Sequence, residues 1–442
     1  LLQYIRMIGD TNYSLHSWKK LPIYSILVGM IKQRILFVIS LFFLASSVSA
    51  GELTDFYYGY SSFAQNSLFS DPNTGQTLFP TLLVPMGGLY EGMGTAYTAV
   101  ARGSSFLEAN PAGSSQLRNT ELSITHNNWI ADSSLESVVY TFRNGDLGYG
   151  FGTKVLYLPF TAYNRWGERD SRGYVSETVA TANISYNFLT SYYFYGIAVG
   201  ANLKLAYRHI PASIYPGQSI FTAMTDFGVL TRFNLLKFYS SRDRNFSLGA
   251  AVKNLGLPND DEPLPSVASA GFAYSPLRPL LLSFDFNYPF AIGLPADQWE
   301  KWYLSSGMQL RFSNFFAMHT GFTHRGANPR FTLGSDIDLD YMNLILNYTL
   351  DLTTQVSSVD RFSVEAKMNM GDRGRAYLQQ QIDEYYISGL EAYAGGQLQR
   401  AIEYWEAALE IDPDFQPATE NISIAQETLY LQNEMKELNK VE

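Results

Sequence analysis

The chain has 442 residues, 46% of them hydrophobic and 15% aromatic, with 31 Tyr, 29 Phe and no cysteine. A mean hydropathy of -0.09 excludes a bundle of membrane helices, each of which needs about 20 apolar residues in a row. The missing cysteine excludes disulfides, thiolate metal sites, thiol nucleophiles and a lipidated N-terminal Cys, and a net charge of -10 without a basic block excludes nucleic acid as a partner.

Met30 to Ala50 reads MIKQRILFVISLFFLASSVSA: Lys32 and Arg34 precede an apolar run from Ile35 to Leu44, and small residues end at Val48-Ser49-Ala50. That order is a secretory signal peptide, with cleavage expected before Gly51. The run is too short to span a bilayer of about 30 Å at about 1.5 Å per residue. Residues 1–29 stand ahead of the signal's basic region, where an over-called start is expected, so 1–50 is read as a leader outside the fold. Five bases and one carboxylate leave with it, and the remainder is more acidic, at -14.

Residues 51–118 form the next unit. Within it, GMGTAYTAVARGSSFLEANPAG is rich in small residues. Gly92, Gly94, Ala96, Thr98 and Ala99 permit close backbone packing, and Asn110-Pro111-Ala112-Gly113 is a turn. Such a segment suits a plug folded back into a lumen; an extracytoplasmic linker has a similar composition.

From 119 to 370 one unit repeats: ten to sixteen residues of alternating apolar and polar character, then a turn signal. In Tyr193–Arg208 the residues Tyr193, Tyr195, Ile197, Val199, Ala201, Leu203, Leu205 and Tyr207 fall on one face, while Gly196, Ala198, Gly200, Asn202, Lys204 and Arg208 fall on the other. A period of two with aromatics at both ends predicts strands with lipid outside and a polar lumen inside. About fourteen strands are expected, beginning near residues 119, 134, 146, 174, 192, 219, 244, 265, 279, 302, 315, 328, 341 and 358. Short connections at 144–146, 189–191, 275–279 and 313–314 alternate with longer ones at 159–173, 209–218, 257–264 and 290–301, as in an outer-membrane barrel with short periplasmic turns. Lys237 to Arg244 breaks the alternation, being moderately long where a tight turn belongs. Strand three carries Gly148, Gly150 and Gly152 on one face; glycines there weaken pairing and suggest a lateral opening in the wall, or simply room for the plug.

Beyond Met370 the period changes. Gly371 to Gln381 reads as a linker and Tyr385 to Leu438 as helix, and 371–442 carries fourteen carboxylates against five bases. The expected architecture is thus an all-β transmembrane barrel of about 14 antiparallel strands, with an N-terminal plug (51–118) and a small C-terminal helical domain (371–442). With an even strand count, chain entry and exit share the periplasmic side.

Two resemblances add to this reading. Gly92-x-Gly94, Ala96-Tyr97-x-Ala99 and Asn110-Pro111-Ala112-Gly113 resemble the N-terminal signature of FadL-like outer-membrane transporters, more closely the spirochaete branch known as UPF0164, with PorV-type proteins as cousins. The resemblance covers roughly 85–370. It implies a fourteen-stranded barrel with an N-terminal hatch that passes hydrophobic small molecules, long-chain fatty acids being the founding example. The C-terminal YYISGLEAYAGGQLQRAIEYWEAALEIDP resembles a tetratricopeptide (TPR) repeat: Tyr385, Gly389, Gly396, Ala401, Trp405, Ala408 and Pro413 sit at its packing and stop positions, with Tyr393 one place from a usual aromatic. That resemblance implies a helix pair that binds a periplasmic protein, capped by a third helix from about Ala418.

No catalytic or metal motif is found. His126, His209, His319 and His324 lack ligand spacing, G-x-S-x-G and H-E-x-x-H are absent, and Asp336, Asp338 and Asp340 read as polar wall. The expectation is therefore not an enzyme. It is a cofactor-free transporter in the bacterial outer membrane, in contact with membrane lipid and a hydrophobic ligand such as a fatty acid. The alternative is an assembly platform that recruits partners through the helical module.

Overall fold

The computed structural model describes residues 71–438 except 72, 130–132, 164, 213–216, 242, 259–261, 327 and 352–359; the leader expected over 1–50 lies outside the described residues. Fourteen strands follow one another: β1 (Glu121–Asn128), β2 (Ser134–Asn144), β3 (Leu147–Tyr163), β4 (Arg169–Phe188), β5 (Ile197–His209), β6 (Ile220–Phe233), β7 (Phe246–Leu255), β8 (Ser266–Tyr274), β9 (Leu280–Phe290), β10 (Tyr303–Arg311), β11 (Phe316–Arg325), β12 (Asn328–Asp338), β13 (Met342–Asp351) and β14 (Arg361–Asn369). Each pairs antiparallel with its sequence neighbours, and β1 closes on β14 from Glu121↔Asn369 to Asn128↔Phe362. Within the wall, closure leaves no unpaired edge, as strands in an apolar surrounding require.

Alternation sets the two faces. On β5, Ile197, Val199, Leu203, Leu205 and Tyr207 are exposed outside, while Ala198, Asn202, Lys204 and Ala206 are buried inside. Phe151, Ile184, Phe227, Leu248, Phe286 and Leu333 continue the apolar exterior. Among the described residues no helix is long and apolar enough to cross a membrane.

The chain enters β1 and leaves β14 at one rim, called the near rim; the opposite end is the far rim. Two connections differ from expectation. The loop expected over 159–173 is mostly strand, because β3 and β4 pair with each other to Tyr163↔Arg169 while β2 stops at Tyr157 and β5 at Ser176. A two-stranded ribbon therefore projects beyond the far rim. At the near rim β5 begins at Ile197, not near 192. Leu189 and Gly196 take φ of 58 and 90 and bracket a wider turn, whose Tyr192 and Tyr193 are held by the C-terminal helices.

Those helices are α3 (Arg375–Ala394), α4 (Leu398–Ile411) and α5 (Gln416–Leu438), following two short luminal helices, α1 (Gly88–Gly92) and α2 (Phe106–Ala109). The linker expected to reach Gln381 ends at Gly374. The Asp372 carboxylate accepts the amides of Ala376 (2.6 Å) and Gly374 (3.0 Å), satisfying donors that the first helical turn leaves free. Led by the Ala376 bond, these hold Asp372 below the usual carboxylate range.

Ile382, Ala401, Ile402, Trp405, Ala408, Phe415, Ala418 and Ala425 form the core of the three helices. Trp405 donates Nε1 to the Tyr386 carbonyl at 3.2 Å and lies 5.9 Å from the Tyr393 ring. Tyr385 stays outside this core. Ile382, Tyr386, Gly389 and Tyr393 follow one helical stripe at spacings of three and four, and Tyr385 is about 100° off it. Pro413 is exposed in the turn between α4 and α5. A Cβ on Gly389 would overlap the Trp405 indole. Gly389→Leu is therefore expected to loosen the module by about 1–3 kcal/mol, read as faster tryptic cleavage at Arg400 with the barrel's heat-modifiable migration unchanged.

Candidate functional site

The segment from Asn73 to Leu117 lies inside the barrel, against the inward faces of its strands. At the far rim Asn73 Nδ2 donates to the carbonyls of Asp297 and Trp299 (3.2 Å each), and the Leu78 amide donates to the Pro263 carbonyl (2.9 Å). From there the chain descends through α1, α2 and a 3-10 helix Pro111–Gln116 to Arg118 at the near rim. Its small residues meet small residues of the wall. A Cβ on Gly321 would overlap the Met93–Gly94 backbone, one on Gly249 the Thr98 carbonyl, one on Gly228 the Asn110 side chain, and one on Gly200 Pro111.

The motif residues are all part of this seat. Gly92 passes beside the His319 ring, and Gly94 has φ +60 with the Phe322 amide where a Cβ would be. Ala96 and Tyr97 are buried, and the Tyr97 and Thr98 amides both donate to Asp285 Oδ2 at 2.9 Å. Asn110 is wholly buried. Its Nδ2 donates to the carbonyls of Thr98 (2.9 Å) and Val229 (3.0 Å), and its Oδ1 accepts from the Ala112 amide (3.1 Å). Pro111 opens the 3-10 helix, and Gly113 packs 2.6 Å, measured from an added Cβ, from the Ala101 carbonyl and from Phe106.

Of the two readings of the β3 glycines, a lateral opening or room for the luminal segment, the contacts among the described residues favour the second. β3 pairs with β2 from Leu147 to Tyr157 and with β4 throughout. Its glycines accommodate the luminal segment instead. A Cβ on Gly148 would overlap the Ser114–Ser115 backbone, on Gly150 it would lie 2.6 Å from the Phe106 ring, and on Gly152 2.5 Å from Leu107.

Above this segment, toward the far rim, is a cavity of about 290 Å³. Leu82, Leu83, Val84, Pro85 and Met86 give it an apolar side, with Tyr90, Trp129 and Tyr303 beside them. The strands supply six cations: Lys154, Lys204, Lys253, Arg325, Arg330 and Arg361. Five have carboxylates. Lys154 pairs with Glu108 at 2.6 Å, Lys204 with Asp226 at 2.7 Å, Arg330 with Asp351 at 3.5 Å, Arg361 with Glu91 at 3.4 Å, and Arg325 with Glu300. Lys253 differs. Buried, it lies 5.6 Å over the Tyr90 ring and 3.4 Å from the Tyr90 hydroxyl, and among the described residues no carboxylate is within ion-pair distance. The opposite charge acting with it is the buried Asp285 carboxylate, which it does not touch; a buried cation with no contact ion pair is costly, and this leaves the cavity able to take an anion beside an apolar surface. Sequence reading missed this set; the available signal was a single Lys or Arg inside each of several polar faces, of which only Lys204 drew notice.

Fold and cavity together define the class: a closed antiparallel barrel with an apolar exterior, its lumen occupied by the segment that precedes β1, beneath a cavity lined by five paired cations and Lys253. The chain belongs to the family described as Uncharacterised protein family (UPF0164), which matches residues 54–373. A UPF0164 protein of Treponema pallidum (strain Nichols) is 29% identical over 378 residues, covering 82% of this chain and 85% of the relative, and another from that organism is 26% identical over 371 residues, covering 79% and 75%. Among solved structures, a deltaS2S3 mutant of the TodX monoaromatic hydrocarbon channel aligns with a TM-score of 0.47 at 13% identity, over 64% of this chain and 99% of that one. The Pseudomonas putida toluene transporter TodX aligns with a TM-score of 0.41 at 13% identity, over 63% and 95%.

Proposed function

We propose that the protein carries hydrophobic small molecules with an anionic head across the bacterial outer membrane, long-chain fatty acids being the class that the FadL-like resemblance implies. In this reading the luminal segment is the plug and gate, and residues 1–50 are a leader removed on export. The near rim faces the periplasm, where 371–442 forms a TPR-like module. The observation that carries the reading is Lys253: among the described residues a buried cation with no contact ion pair, in a cavity whose other side is the apolar run Leu82–Met86. An alkyl chain fits the latter and a carboxylate the former.

The test is uptake of labelled fatty acid by vesicles holding the full chain. Lys253→Met removes one charge-assisted contact worth about 1.5–3 kcal/mol and is expected to weaken uptake at low substrate by roughly tenfold or more, while a neutral hydrocarbon is unaffected. Equal uptake by both forms would sink the assignment, and a non-selective ion conductance would indicate a porin.

A second reading, an assembly platform of the kind the PorV-type resemblance implies, is favoured by α5, whose Ile424, Tyr430, Leu431 and Met435 are exposed. Crosslinking from Trp405, which is 1% exposed, would not sample a partner; a crosslinker at Tyr430 would. A single defined periplasmic product supports the platform.

A further inference from the structure

The near-rim loop between β6 and β7, residues 234–245, is long where a tight turn belongs, and its composition is unusual for a connection. Leu236 is 66% and Phe238 80% exposed, and Leu277 of the adjoining turn is 57% exposed. The loop is ordered by its own bonds: Asn245 closes its neck through Leu235 N–H (2.9 Å) and the Leu235 carbonyl (2.7 Å). Outward-facing aromatics hold it to the wall. The Tyr274 hydroxyl donates to the Leu236 carbonyl (3.1 Å), and the Tyr239 hydroxyl donates to the Ser275 carbonyl (3.2 Å). Phe233, Phe246, Phe272 and Tyr274 form a ring-to-ring series directly above, with centroids 5.1 to 6.1 Å apart. The exposed apolar residues are thus continuous with the apolar outer belt of the barrel.

Three cations share the patch. Lys237 caps the carbonyls of Ser241 (2.5 Å) and Asp243 (2.7 Å), Arg244 those of Tyr192 and Tyr193, and Arg278 that of Ser240. Among the described residues none of the three has an ion pair; Asp243, the nearby carboxylate, is taken by Arg118. Burial first, then Arg244, lowers the Lys237 ammonium from its ordinary value, with Asp243 acting the other way.

We propose that this loop is a lipid foot: Leu236, Phe238 and Leu277 enter the apolar margin of the leaflet next to the near rim, and Lys237, Arg244 and Arg278 take the phosphates of anionic phospholipids. Aromatic and apolar side chains flanked by cations are the composition that binds such an interface. The proposal rests on the outer-membrane reading, with the near rim in the periplasm. It accounts for the loop's length, since a two-residue turn could not reach outward over the belt.

The test uses the purified full chain, reconstituted into phosphatidylglycerol or phosphatidylcholine vesicles, re-extracted and weighed by native mass spectrometry for retained lipid. The wild type is expected to retain phosphatidylglycerol over phosphatidylcholine by at least about fivefold, the value of one surface cation. Lys237→Glu with Arg278→Glu is expected to abolish that preference, and Phe238→Ser to reduce retention of both lipids. Heat-modifiable migration reports folding, and Lys237→Gln with Arg278→Gln replaces the charge reversals where these do not fold. A wild type without preference, or a folded charge variant that keeps it, overturns the foot alone. A chain that enters neither vesicle overturns the membrane reading and the foot together.

Discussion

Gly321→Val is expected to unseat the luminal segment and make a silent barrel conduct. Gly321 sits in β11 opposite Gly307 of β10, and a Cβ there would overlap the amide of Gly94 and the carbonyl carbon of Met93. Both sides of the contact are backbone, so no rotamer relieves it. Thr323, two residues on, holds the Gly94 carbonyl through its hydroxyl, and Thr95 Oγ1 lies 3.1 Å from Ser305 Oγ, so the same displacement breaks two further contacts. Overpacking of this kind costs about 1–3 kcal/mol. At the upper end it raises the displaced population by about two orders of magnitude. Single-channel recording in planar bilayers and protease access to residues 90–100 read the change. Leu333→Val, on the outward face of β12, is the control and should stay closed. A folded Gly321→Val barrel as silent as the control would show that the segment is not what closes the lumen.

Glu91→Ala is expected to cost about 3–5 kcal/mol, because it strands a buried cation. Glu91 is 1% and Arg361 4% exposed, and the carboxylate has four partners on three strands. Oε2 accepts from Ser363 Oγ (2.7 Å) and Asn127 Nδ2 (3.3 Å), while Oε1 accepts from Thr349 Oγ1 (3.1 Å) and faces Arg361 at 3.4 Å. Helix α1 is thereby tied to β1, β13 and β14 at once. The urea midpoint should fall for Glu91→Ala, and the pairing of Arg361 with Glu91 is tested by adding Arg361→Met, which removes the stranded charge and should recover much of the loss. If the double variant is no more stable than Glu91→Ala, the cost comes from the hydroxyl and amide contacts and not from the charge.

The alternation of β5 was legible because a strand's side-chain period is two whatever its neighbours are. Ile197 to Tyr207 outward and Ala198 to Lys204 inward follow from spacing alone, and the same rule repeated along the chain returns the fourteen strands. The start of β5 was not legible. Tyr193 and Tyr195 continue the alternation, yet Tyr193 donates its hydroxyl to Glu420 (3.0 Å) and Tyr192 packs on Phe415 at 5.3 Å; a helix more than two hundred residues later ends the strand's pattern. Tyr385 and Tyr386 make the same point within the module, where adjacent tyrosines differ only in helical phase. The long connection before Arg244 was visible as an exception, and its outward fold depends on hydroxyls of Tyr239 and Tyr274 that spacing does not place.

What the sequence by itself determined is every feature governed by local period and turn chemistry. It set the number of strands, their inward and outward faces, the switch to helix after Met370, and the small-residue character of the segment before β1. What only the tertiary structure decided is what meets across the lumen. Gly148, Gly150 and Gly152 could spell a gap or a seat until Ser114, Phe106 and Leu107 were found against them, and Lys253 is one more inward lysine until its neighbours are known. The physical reason is that alternation fixes the face of a residue, while register and shear of a closed barrel fix its depth and its opposite number. The balance of charge in the cavity is a property of those neighbours.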